Sequence, residues 1–527
     1  MPKHRVDFPD SELNAAELEE SVADELHTLK LARGDWHTRG VLKLLRQRFA
    51  EWNAAPPGPA SMHVPTELGA LETVEVLPAT VSVPIHDEDW GPVPLSKRAV
   101  HRLLRDLPIV DYAEPWASHE EALSVIRAEL CAIEPLPSVV WHDKTSDHAI
   151  ELVALSGLGA HRLEPLERDP DGAAHVVDLS WMHGFPVRAG LQRYGAAAYF
   201  SDSGKLLRIY TAHDDRHRYP GTEGWEEAKW RWKCALFVGT TVSDHLGSVH
   251  LMLSNLLVTA TREQLPPDHP MRRLLKPYEF RTVAINYDAG LVLAPEGGVA
   301  HRAFGFSYEG HVQCLLHATR TTRYSTFPET IAKKRVAALG DRFPYATDGL
   351  ALWHTIRAFV AEYSGVFYRP GELSADSALR RWWLALSRSR PALGFEPLST
   401  DAQLIDLLTQ FMFVVTGFHE HVGGVAEYVL DPTFMAGKIR AGQSMADVQS
   451  TVQVLLLLAA TGFKQPPLLG DYTHLFLDRE RPAAEAAFAR YQQALRALST
   501  AIDERNRHRV QPFQTFNPAL LQSSVSI

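Results

Sequence analysis

Between Lys229 and Arg262 the chain has no proline and only two glycines, and apolar residues recur at helical spacing through Trp232, Leu236, Phe237, Val242, Leu246, Val249, Leu253, Leu256 and Leu257. That stripe is too broad for a surface helix, so the segment predicts one long buried helix; Trp225–Asn286 as a whole then reads as this helix, a turn and a second helix. Polar groups carried inside such a helix cost about 1 to 3 kcal/mol each when unpaired, so His245 and His250 should have partners. The two lie five residues apart. In a regular helix that offset turns the rings away from each other, whereas a local π-bulge would bring them onto one face, and such bulges cluster at functional sites. The alternative is a pair of core histidines bonded to nearby carbonyls.

Around this helix an ordered set of short signals resembles the lipoxygenase family. Trp225, the Ala228-Lys229 pair, the histidine helix, Arg262, Leu265-Pro266, His269-Pro270, Leu274-Leu275 with Pro277, and Thr282 through Ile285-Asn286 follow in the family's order at nearly its spacing. No single signal is specific; the ordered set is. The resemblance runs over roughly residues 150 to 527 and includes ELVALSGLGAHRLEPL at 151 to 166 and the alternating AAAYFSDSGKLLRIYTA, whose β-branched and aromatic residues suit a small sheet before the central helix. It implies a mainly α catalytic domain built around two long central helices with a small β subregion. The eight strands of the family's N-terminal PLAT β-barrel are not found, so the chain is similar to the barrel-less bacterial members.

The resemblance also implies chemistry: one non-heme iron, hydrogen abstraction from a pentadiene methylene, and O2 addition to the resulting radical. Imidazoles and one carboxylate suit iron, with manganese as the alternative, and leave a coordination position open. Counted without gaps from Lys229, the family's first helix ligand falls on Thr240, its second on His245, and its third, usually non-ligating, histidine on His250. A shifted register instead puts His245 and His250 at the first two positions and Asn255 at the third. The second helix, apolar on nearly all faces from Leu404 to Phe418, carries Thr416-Gly417 before His419, as in the family's Thr-Gly-x-His. The fourth ligand position falls on Gly423, which cannot ligate. In the family the carboxylate is that of the C-terminal isoleucine, here Ile527. The expected set is therefore His245, His419 and Ile527, with His250 and His421 as lesser candidates, because successive helical residues diverge by about 100° and His421 should miss a metal held by His419.

The substrate pocket should be long and apolar. Ala289 and Gly290 are the small residues expected to shape it, with Thr240 and Gly423 beside the metal. Asp288 falls near a family arginine; if it faces the pocket it would repel a fatty-acid head group, making the substrate neutral, amine-bearing or carrier-tethered, and the bland alternative is a solvent-facing aspartate. Two functions stay open: an oxygenase acting with O2 on an unsaturated fatty-acyl or similar apolar compound, or a relative with altered chemistry or little metal, which Thr240 and Gly423 would permit.

The rest of the chain sets bounds. With 527 residues, 45% apolar and 22% charged, there is ample material for a large core, and a net charge of −10 leaves no basic footprint for nucleic acid. Cys131, Cys234 and Cys314 are odd in number and share no metal-ligand spacing, which reads as reduced thiols in a cytoplasmic protein. No signal peptide is expected from the acidic N-terminus, and no apolar run reaches membrane-spanning length, Val452 to Ala460 coming closest. Residues 1–110 read as a helical or irregular extension with a Pro-rich linker and, from Glu72 to Ile85, an edge hairpin at most; residues 111–527 form the catalytic domain.

Overall fold

The computed structural model describes residues 71–76, 79–84, 109, 111, 115–130, 139–461 and 466–525. The expected helix over 11 to 54, the Pro-rich linker, Cys131 and Ile527 lie outside the described residues. In the described part, Leu71–Val76 (β1) and Ala79–Pro84 (β2) pair antiparallel, Val74 opposite Val81, as the alternation predicts.

A five-stranded antiparallel sheet follows in sequential order: β3 (Leu163–Pro165), β4 (His175–Asp178), β5 (Ala196–Phe200), β6 (Leu206–Thr211) and β7 (Arg216–Arg218). Alternate residues Ala196, Ala198 and Phe200 of β5 are wholly buried, as are Val177 and Ile209 beside them, so this face closes on the helix that comes next. Trp232 on that helix donates its indole N–H to the Val177 carbonyl at 3.2 Å, satisfying the one polar atom of a fully buried ring.

The central helix runs unbroken through α1 (Trp225–Gly239), a π-helical segment (Thr240–Ser254) and α2 (Asn255–Gln264), stretches of 15, 15 and 10 residues. Its first turn carries Glu226 and Glu227 at the positive end of the helix dipole. The turn through Pro266 ends at His269, whose ring accepts from the Met271 N–H and caps the next short helix, and α3 (Thr282–Asp288) continues into a π turn at Ala289–Leu293. β2 packs on α2 and β1 on α3.

The long helix α4 (Pro344–Phe367) packs on the second central helix, which begins as α5 (Asp401–Phe413), loosens to π at Val414–Phe418 and finishes as α6 (His419–Gly423). Thr400 and Gln403 form a reciprocal capping box that sets the start of α5. Outside these lie α7 (Val448–Thr461) and the 26-residue α8 (Arg481–Asn506), which packs along α4. Phe359 and Tyr491 stack between α4 and α8 with ring centroids 4.3 Å apart. From α8 the chain returns inward, with Phe513, Phe516, Leu521 and Val525 buried. Among the described residues no helix is long and apolar enough to cross a membrane.

Candidate metal centre

Both central helices change from α to π pitch where they carry or approach histidines. With i→i+5 hydrogen bonding, residues five apart come onto one face. The π segment therefore aligns His245 and His250, and His419, the first residue of α6, meets them from the other helix. The three Nε2 atoms form a nearly equilateral triangle: 3.0 Å from His245 to His419, 3.1 Å from His250 to His245 and 3.1 Å from His250 to His419. These three are the one group of potential ligands found among the described residues.

The triangle tests which ion would fit. Three nitrogens 3.0 to 3.1 Å apart, if held at right angles around an octahedral ion, imply bonds of about 2.2 Å; in a tetrahedron they imply about 1.9 Å, shorter than the 2.0 to 2.1 Å of zinc to imidazole. The spacing thus suits one face of an octahedral ion such as iron(II).

Protonation agrees. Asn286 on α3 donates its amide to the His250 carbonyl, to Ser254 Oγ and to Asn255 Oδ1, which leaves its Oδ1 as an acceptor 3.0 Å from His250 Nδ1. His250 therefore carries its proton on Nδ1 and points the Nε2 lone pair into the triangle. Burial holds His250 down at about 4, and burial together with the neighbouring rings holds His245 far below the ordinary imidazole range. His419 is likewise held well below that range, by burial first. Three neutral imidazoles aiming nitrogens at one point have too few protons to satisfy each other, and a cation supplies what they lack.

The expected residues fall out as follows. His250, ranked behind Ile527 on the ungapped register, is inside the group, because the π segment is fifteen residues long and not a single bulge. Thr240 is wholly buried, its Oγ1 without a partner, and it does not line the cavity; Thr241 does. Asn255, third in the shifted register, bonds to Asn286 and not to the triangle. His421 is no part of the group: α6 is regular there, and its Nε2 meets His161 Nδ1 at 3.0 Å. Gly423 is explained by contact, since a Cβ on it would lie 2.8 Å from His245 Nε2. The His245 ring occupies the space a fourth ligand's side chain would need.

A cavity of about 350 Å³ opens beside the triangle, within the usual range for small-molecule sites. All three histidines line it, with Ile285, Ala289 and Leu293 on one side and Leu457 and Phe513 on others. Ala289 and Gly423 line it as expected, and Gly290 does not. The Asp288 side chain is outside the described set. Two lining residues were not anticipated, Glu420 and Glu427; burial pushes both carboxyls up to about 7.

A second polar cluster, also missed, bridges the two helices. His161 Nε2 lies 2.7 Å from Asp244 Oδ2, and Arg162 grips the same carboxylate through Nε and an amino group, each at 2.7 Å. Burial alone would raise Asp244, but Arg162 and His161 outweigh it and hold the carboxyl below its usual range. The sequence carries no local sign of this cluster, because its members are 82 to 260 residues apart.

Comparison with known proteins points the same way. The family model for Lipoxygenase matches residues 223–430. A linoleate 9/13-lipoxygenase of Pseudomonas aeruginosa is 26% identical over 334 residues, covering 56% of this chain and 48% of that protein, and human polyunsaturated fatty acid lipoxygenase ALOX15B is 28% identical over 331 residues, covering 57% and 48%. The chain thus spans about half the length of these curated relatives. In structure it is similar to coral 8R-lipoxygenase, with a TM-score of 0.72 at 18% identity over 92% of this chain and 80% of that one. A fungal lipoxygenase of Fusarium graminearum gives 0.66 at 15% identity over 83% and 91%.

Proposed function

We propose that the chain is a member of the lipoxygenase family, whose model matches residues 223–430, and a non-heme iron oxygenase that adds O2 to an unsaturated fatty-acyl or similar apolar chain. The observation that carries this is the triangle of His245, His250 and His419 nitrogens set into the wall of an apolar cavity.

His245, His250 and His419 would hold the metal, and the Ile527 carboxylate is a further expected ligand outside the described residues. Iron bound there supplies the one-electron couple needed to abstract hydrogen from an allylic methylene. The protein's own part is positional. Asn286 keeps the His250 proton on Nδ1, so that Nε2 stays a lone-pair donor. Ile285, Ala289 and Leu293 hold an alkenyl chain alongside the triangle and exclude water from the radical that O2 must reach first. Manganese would suit the same donors, and metal analysis separates the two. Cys234 and Cys314 are buried free thiols, which fits the reducing cytoplasm as the place of action; cell fractionation tests it.

The deciding experiment is metal analysis of anaerobically purified protein combined with O2 uptake and conjugated-diene absorbance on a linoleyl chain. About one iron per chain and coupled O2 uptake are expected. Full metal with no O2 uptake on any diene would point to the altered-chemistry reading, and less than about a tenth of an equivalent of any metal after reconstitution would remove the oxygenase altogether.

A further inference from the structure

The helix Ser377–Ser389 keeps its apolar and its charged residues on opposite sides. Ala378, Leu379, Trp382 and Leu386 are buried, and the helix packs on α2, where the Trp382 indole N–H donates to Thr261 Oγ1 at 3.1 Å. At about 100° per residue, Arg380, Leu384, Arg388 and Arg381 share an outer arc of about 100°. The three arginines are exposed and Leu384 is half-exposed between them, with Trp383 half-exposed at the edge of the arc and Arg390 at the C-cap. SALRRWWLALSRS contains no acid. Asp376 before it is taken up as the N-cap by the Ala378 and Leu379 N–H groups, and none of the four guanidinium groups has an ion-pair or hydrogen-bond partner among the described residues.

Acids are not scarce, since the chain has 63 of them against 53 lysines and arginines. Arg335, Arg490 and Arg507 are exposed too, and they pair with Glu167, Glu362 and Glu504. Nor does folding gain from the basic stripe: Arg380 and Arg381 stand toward the positive end of the helix dipole, where a cation is disfavoured.

We infer that the outer face of this helix docks on an anionic lipid surface through Arg380, Arg381, Arg388 and Arg390, with Leu384 and Trp383 entering the headgroup boundary. An anionic leaflet attracts each such guanidinium, about 5-fold in affinity per arginine. Apolar side chains set among the cations gain from that boundary, and the phosphate backbone of a nucleic acid offers them nothing. The net charge of −10 makes the remaining surface repel the same leaflet, which turns this one face toward it. Neither the metal nor the cavity takes part in the docking.

Sedimentation of the iron-loaded full chain with vesicles tests this, using phosphatidylcholine alone and the same lipid with about a third phosphatidylglycerol. Binding should be at least about 10-fold tighter on the anionic vesicles and should weaken as salt rises from about 0.05 to about 0.5 M. Arg380→Gln and Arg388→Gln should each weaken it about 5-fold with native circular dichroism, whereas Lys205→Gln, at an exposed lysine on the sheet, should leave it unchanged. Leu384→Gln should weaken vesicle binding about 3-fold and leave binding to a single-stranded oligonucleotide as it was. Equal affinity for the two vesicles, or an anionic preference that survives in the chain with all four arginines changed to Gln, overturns the inference. Tighter binding of the oligonucleotide than of the anionic vesicles overturns it as well, and makes the stripe a nucleic-acid contact instead.

Discussion

Two clusters of imidazoles meet at the same pair of helices and differ in what surrounds them. In the one around His161 and His421, the nitrogens have partners: His421 meets His161, His161 meets Asp244, and Arg162 neutralises Asp244. In the other, three Nε2 atoms face each other with no carboxylate among the described residues of the group. Asp244 precedes His245 in sequence, and His421 follows His419 by two, so a single turn of helix separates a closed network from an open one. Burial alone does not mark a binding site; a deficit of partners does.

The sharpest way to break this comparison is to delete one nitrogen from the open cluster. His250→Ala or His419→Ala should reduce metal to below about a tenth of an equivalent and O2 uptake by at least about a thousandfold. Circular dichroism should stay native, because the metal is one local contribution within a large core. Unfolding in both variants would instead class the three rings with ordinary core histidines.

Opening the closed cluster should cost stability and not metal. Asp244→Asn leaves Arg162 and its surroundings without a counter-charge, and breaking such a buried pair costs about 3 kcal/mol. The thermal midpoint should drop while iron stays near stoichiometric; the reverse outcome would make Asp244 part of the metal site.

Asn286 belongs to neither cluster yet sets the proton on His250. Asn286→Ala should weaken metal binding by about 10- to 100-fold, measured by competition with a chelator, with little change in thermal midpoint.

The smallest effect is on acid sensitivity. His250 is held at about 4 in the fold and returns to about 6.5 on unfolding. The unfolded chain therefore binds the extra proton between those values, and stability is full above about pH 6.5 and lost as pH falls toward 4. In metal-free protein, His250→Leu should make that loss shallower by about 1.4 kcal/mol per pH unit. An unchanged slope would mean that the ring is not held neutral by its site.

Much of the fold was legible because it is written in period and punctuation. The broad apolar stripe from Trp232 to Leu257 became the buried central helix, the alternation in AAAYF and LLRIYT became β5 and β6, and two short alternating runs became the 71–84 hairpin. The resemblance to lipoxygenases was legible from ordered motifs, and the family model matches residues 223–430. The site was legible only in part. A π-bulge was foreseeable from the five-residue spacing of the histidines, but its length was not, since hydrogen-bond pitch leaves no residue signature; hence the choice of register went to Thr240 and His245. Gly423 looked like a lost ligand, whereas in the fold the His245 ring takes that place. His161 reaches its partners through tertiary contact, which no local pattern encodes.

Asn286 sits between Ile285 and Ala289, both on the cavity wall, and it holds His250 from behind. One short helix thus reports to two compartments at once. A chain pressing on α3 from the cavity acts on the hydrogen bond that aims an imidazole, and by thermodynamic reciprocity an ion fixing that imidazole acts on the grip of the wall. Occupancy of one compartment should then be visible in the other without any large movement: the paramagnetic resonance of the bound metal would change line shape when a non-reactive saturated chain fills the cavity, and that chain would dissociate more slowly from loaded protein than from stripped protein.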